Sequence, residues 1–119
     1  MLQHPFYWYS TPALVKQWLD LVLEHGWAYG SNCTALIGKK LLSAVSTGGR
    51  EESYRPEGGN RMTVRQLLAP IELTAQLCGI DYLEPFVVHG THAMDEAAIA
   101  AAADAYARHV AALRDGKLG

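Results

Sequence analysis

The apolar run "LLSAV" at Leu41 to Val45 passes directly into "STGG" at Ser46 to Gly49. A short apolar run that ends in glycines reads as a buried strand with a tight turn at its carboxyl end. What surrounds it completes the pattern. Ser10 and Thr11 precede Pro12, an N-cap with proline in the first turn, and Leu14, Trp18, Leu21 and Val22 follow at helical spacing. These predict a helix from Pro12 to His25, stopped by Gly26. Thr63 predicts the start of a second helix, closed by Gly79 after Cys78 and kinked by Pro70. Tyr82 to His89 reads as a second strand, interrupted by Pro85. Asp95 caps a last helix to Arg114, with Ile99, Tyr106, Val110 and Leu113 along one face. Strands separated by helices imply parallel pairing through right-handed crossovers, an α/β layered fold.

Composition removes several alternatives. The 119 residues suffice for one small domain with one core, and half of them are apolar. A formal charge of −2 without a basic run argues against a nucleic-acid partner. Cys33 and Cys78 stand far apart without a zinc spacing, as buried small hydrophobes in a reducing cytoplasm would. His89 and His92 are three apart, but no acidic or cysteine partner stands at a ligand spacing, so no metal is expected. No apolar stretch reaches the roughly 18 residues of a membrane span. The opening "MLQHPFYW" has neither the basic nor the apolar region of a signal peptide.

In parallel sheets ligands sit beyond the carboxyl ends of the strands. "STGG" lies at one such end. If "MLQHP" is the stump of a further strand, Phe6, Tyr7, Trp8 and Tyr9 lie at another. One wall of the pocket is then aromatic, and the other offers backbone N–H groups unobstructed by side chains. A flat, partly polar heterocycle suits such a pocket. The competing reading makes the aromatic block ordinary core.

The stretches "HPFYWYSTPALVKQWLDLVLEHGWAYG", "GKKLLSAVSTGG" and "LLAPIELTAQLCGIDYLEPFVVHGTH" carry a resemblance that covers nearly the whole chain. They resemble the flavodoxin-like NAD(P)H:quinone oxidoreductases, and within them the ancillary proteins of the glutathione-regulated potassium-efflux system. The resemblance implies a flavodoxin-like parallel sheet with flanking helices. It implies FMN as cofactor, with hydride passing from NAD(P)H to a quinone. Phe6, Tyr7, Trp8 and Tyr9 match the loop flanking the flavin ring, and Ser46, Thr47, Gly48 and Gly49 match the second flavin loop. Tyr54 falls where the wider family often has a tyrosine near the reacting end of the flavin. Asn60 stands where those reductases can use a histidine, which speaks against a histidine-assisted proton relay. A homodimer is implied as well, with the apolar "HGWAYG" loop at its surface, as is a potassium-efflux membrane protein as partner on its cytoplasmic side.

Members of that family begin with a strand, a Ser- and His-rich phosphate loop, a helix and a second strand. This sequence has no match to them, so residues 1–119 are expected to form a single partial domain, the carboxyl-terminal two-thirds of a flavoprotein. Such a chain should hold FMN weakly and reduce quinones little on its own. The other two readings are a non-catalytic regulatory subunit of an efflux channel and an inactive remnant. An in-frame strand and Ser/His-rich loop upstream of Met1 would restore both the enzyme and the regulatory reading; stop codons there would favour the remnant.

Overall fold

The computed structural model describes residues 1–118. In chain order it contains β1 (Leu2–Pro5), α1 (Ala13–Val22), β2 (Lys40–Leu41), β3 (Ser43–Ser46), α2 (Val64–Leu67), α3 (Ala69–Leu77), β4 (Asp81–Tyr82), β5 (Phe86–Val88) and α4 (Glu96–Arg114). Strand β3 lies between β1 and β5, and all three run parallel. His4 stands opposite Val45, and Val45 opposite Val87. Ser43, Ala44 and Val45 are all buried, as a central parallel strand covered on both faces requires. The one polar side chain among them is satisfied, because Ser43 Oγ accepts from the Tyr82 hydroxyl at 2.9 Å.

The run Leu41–Val45 is two strands rather than one. Leu83 N–H donates to Leu41 O and Leu2 N–H donates to Leu42 O, each at 2.9 Å. The hydrogen-bonding partner therefore changes at Leu42: β2 pairs with β4, while β3 joins the main sheet. Tyr82 to His89 is divided in the same way into β4 and β5. Pro85 falls in the gap, where it has no N–H to give a ladder.

The first helix is shorter than its apolar spacing predicts. It ends at Val22, and residues 24–29 fold back on themselves through Ala28 N–H to Glu24 O at 3.0 Å and Gly26 N–H to Tyr29 O at 2.9 Å. Ala28 is buried beneath this turn, while Trp27 stays about half exposed. The helix from Thr63 breaks in two. Thr63 and Gln66 form a reciprocal capping box, which starts α2 where the sequence places it. Pro70 then sits in the first turn of α3, after a break at Leu68. Its ring excludes the carbonyl four residues back, so one continuous helix cannot form.

Val45, Tyr54, Val64, Leu68 and Ile71 make the core on one face of the sheet, with Phe6, Leu19, Leu67 and Val87 packed around them. Asp95 caps α4 by accepting Ala98 N–H at 2.8 Å. That helix buries none of its residues; Tyr106 and His109 lie against the Phe86 ring, each 5.1 Å from its centroid. Among the described residues no helix is long and apolar enough to cross a membrane.

Candidate functional site

Because β1, β3 and β5 are parallel, their carboxyl ends Pro5, Ser46 and Val88 come to one edge of the sheet. A cleft of about 310 Å³ opens beyond that edge. Phe6, Trp8 and Tyr9 line it from the segment after β1, Gly48 and Gly49 from the turn after β3, and Ser53, Tyr54 and Asn60 from the polar loop that follows.

The aromatic wall is a two-residue turn. Tyr7 and Ser10 exchange backbone hydrogen bonds of 3.0 and 3.1 Å, and between them Trp8 and Tyr9 stand at φ 50° and 60°. Two successive positive φ values are the pattern of a type I′ turn, which ordinarily selects Asn and Gly. Large side chains there are strained by about 1–2 kcal/mol each. Local packing does not offset this for Trp8, which is 93% exposed. Such strain concentrates at ligand clamps. The turn raises an indole into the cleft mouth at the expense of its own stability.

The glycine wall is held from behind. Thr47 is 1% exposed; its N–H donates to Val88 O at 2.9 Å and its carbonyl accepts Thr91 N–H at 3.1 Å. Gly90 N–H donates to Gly49 O at 2.9 Å. Among the described residues, the N–H groups of Gly48 and Gly49 have no acceptor. The His92 ring lies where a Gly48 Cβ would project, and the Tyr54 ring 3.3 Å from where a Gly49 Cβ would stand. Tyr54 is at once core and lining. Its ring is buried, 6.3 Å from Phe6 and 5.3 Å from His89, and its hydroxyl makes no hydrogen bond among the described residues.

The family profile described as the flavodoxin-like fold matches residues 1–110. The chain belongs to this flavodoxin-like family. A crystal structure of general stress protein 14 from Treponema denticola, in complex with FMN, is 44% identical to it, with a TM-score of 0.81 over 92% of this chain and 63% of that one. An NADPH-quinone reductase from P. pentosaceus is 34% identical, with a TM-score of 0.83 over 91% of this chain and 64% of that one. The glutathione-regulated potassium-efflux system ancillary protein KefF of Salmonella arizonae is 43% identical over 117 residues, 98% of this chain and 65% of that protein. The chain spans between about half and two thirds of the length of the curated relatives it matches.

In this flavodoxin-like chain, six of the nine residues singled out from sequence meet at the cleft: Phe6, Trp8, Tyr9, Gly48, Gly49 and Tyr54. Three do not line it. Tyr7 closes the base of the turn, Thr47 is buried behind the glycines, and Ser46 faces a separate groove between the sheet and α4. Asn60, noted in sequence only as a departure from a histidine, is part of the lining. Ser53 escapes sequence reading, and His89, weighed there only as a metal ligand, stands behind this site. Ser53 sits in a loop without periodicity, and His89 acts on a residue 42 positions away.

Proposed function

We propose that this chain carries the ring-binding cleft of an FMN-dependent NAD(P)H:quinone oxidoreductase. The observation that carries the reading is the pairing of the Trp8–Tyr9 turn with the two unpaired glycine N–H groups across one cleft. An aromatic face and a row of backbone donors are what a flat heterocycle with edge oxygens and nitrogens requires. The fit extends to size, since about 310 Å³ lies at the small end of ligand pockets. The FMN complex of the similar stress protein and the reductase name of the second structure support it.

When bound, FMN supplies the hydride chemistry. The residues supply placement. Phe6, Trp8 and Tyr9 would form the stacking wall, and the Gly48 and Gly49 amides would donate to the edge of the ring. Tyr7, Ser46 and Thr47 serve from behind by fixing the two loops. The Tyr54 hydroxyl is free to donate to a ligand, and its ring keeps the floor of the cleft apolar. With one stacked site, nicotinamide and quinone take turns, which gives ping-pong kinetics.

Among the described residues, none that lines the cleft carries a positive charge. The test is therefore a titration of the chain with FMN and with lumiflavin, which has the ring and no phosphate. Both should quench, with dissociation constants within about threefold of each other. Absence of quenching by either would refute the reading. Much tighter FMN binding would reveal a phosphate site elsewhere in the chain.

The same reading carries a cytoplasmic homodimer. Leu14, Trp18 and Leu21 are exposed at spacings of four and three on α1, a stripe suited to a second copy. The similarity to KefF extends the reading to a regulatory contact with a potassium-efflux membrane protein from its cytoplasmic side. Co-purification of the chain with such a protein from detergent-solubilised membranes would test this.

A further inference from the structure

We propose that His89 is a positioning residue for the glycine wall: through the buried Thr47 hydroxyl it holds the Gly48 and Gly49 amides in place to donate. The proposal rests on the FMN reading for what those amides bind, but its geometry stands by itself.

Thr47 Oγ1 lies 2.9 Å from Gly49 O and 2.9 Å from His89 Nδ1. A threonine hydroxyl has one proton, and a carbonyl oxygen can only accept. The proton therefore goes to Gly49 O, and His89 Nδ1–H donates to Thr47 Oγ1. This assigns the imidazole tautomer from the network: Nδ1 is protonated and Nε2 is not. Thr47 is 1% exposed, so with the imidazole in place no water reaches its hydroxyl.

The bond completes a set of ties. Residues 88–91 bond to Thr47 N–H, to Thr47 Oγ1, to the Thr47 carbonyl and to the Gly49 carbonyl. The Thr91 hydroxyl adds a second, longer bond to the Thr47 carbonyl at 3.3 Å. Among the described residues, His89 supplies the only side-chain tie to the Thr47 hydroxyl from outside the turn. Its ring is itself fixed, 5.3 Å from the Tyr54 ring. Burial lowers the affinity of His89 for a second proton, while the Glu51 and Glu52 carboxylates oppose that shift. Arg55, Arg65 and Glu84 share the cavity on its outer side. The imidazole is therefore neutral at neutral pH, with its single proton available at Nδ1.

The experiment compares the intact chain with His89→Ala and His89→Asn, whose amide nitrogen falls near the Nδ1 position and can donate in its place. Three quantities are read: the imidazole nitrogen shifts, amide exchange at Gly90 and Thr91 without ligand, and FMN affinity by fluorescence quenching. We expect nitrogen shifts of the Nδ1–H tautomer. His89→Ala should speed exchange at both amides and weaken FMN by roughly five- to tenfold, and His89→Asn should restore both. An Nε2–H tautomer would overturn the proposal even if neither variant folds. So would unchanged exchange in His89→Ala, or failure of His89→Asn to rescue it. Failure of the unmodified chain to bind FMN would count against the cofactor reading alone, because the tautomer and the exchange rates decide the role of His89 without flavin.

Discussion

Replacing Trp8 by asparagine should make the chain more stable and its cleft less useful. Trp8 is held at φ 50° in a turn whose first central position favours Asn. A left-handed residue with a bulky side chain is strained by about 1–2 kcal/mol, of which Asn should recover about 0.5–1. Little burial is lost in exchange, since the indole is 93% exposed. The gain corresponds to a rise in Tm of about 2–5 °C for a chain of this length. The ligand sees the opposite sign. Loss of an aromatic stack removes about 1–3 kcal/mol, a roughly 5- to 140-fold weaker flavin complex. Differential scanning calorimetry of the ligand-free chain and fluorescence titration with lumiflavin read the two effects separately. A fall in Tm would refute the strain argument, and unchanged flavin affinity would remove Trp8 from the wall.

Two glycines separate folding from binding. A side chain at Gly58 meets the backbone carbonyls of Glu52 and Ser53, the latter at 2.8 Å, so Gly58→Ala should destabilise by about 2–3 kcal/mol in urea unfolding. Gly48 does not have a positive φ, and a Cβ there meets the ring of exposed His92, which can turn away; Gly48→Val should therefore lower flavin affinity with a smaller loss in urea than Gly58→Ala. The depressed pKa of His89 means that the folded chain resists protonating it. Its stabilising contribution is complete above the ordinary histidine value of about 6.5 and is lost as pH falls through the lower folded value. The urea midpoint should then drop between pH 7 and pH 5 by less in His89→Asn than in the unmodified chain. Trp18→Asp on the exposed face of α1 should shift sedimentation from dimer towards monomer, and a monomer in both would end the dimer reading.

What could be read from sequence had its cause in a nearby capping side chain, a proline or the end of an apolar run. The Thr63 cap and the Asp95 cap act within three residues, and both helices begin where those side chains place them. Pro70 and Pro85 announced interruptions, since a missing N–H is visible without a structure. The pocket walls followed from where strands end. Hidden were events that depend on partners far along the chain, and local turns that override helical spacing or residue preference. Nothing in "LLSAV" tells that the ladder changes partner at Leu42, because an apolar run pairs equally well with either neighbour. The retreat of the first helix from His25 to Val22 depends on the turn around buried Ala28. The Trp8–Tyr9 turn runs against residue preference, and strain of that kind cannot be inferred from the residues that suffer it. Thr47 resembled a lining residue because its neighbours are, yet its hydroxyl points back to His89.

The parallel sheet also has a temporal meaning. β1 reaches β3 across a loop of about 40 residues, and β3 reaches β5 across another of similar length, so each pairing closes a long loop before any contact repays it. A ribosome must release His89 and Gly90 before the Gly48 and Gly49 amides can be set, although the aromatic turn left the exit tunnel some eighty residues earlier. Until then the exposed Trp8 and Tyr9 have no opposite wall. The cleft therefore cannot form until Gly90 has emerged, and a nascent chain interrupted before Phe86 would display its aromatics without the wall they face.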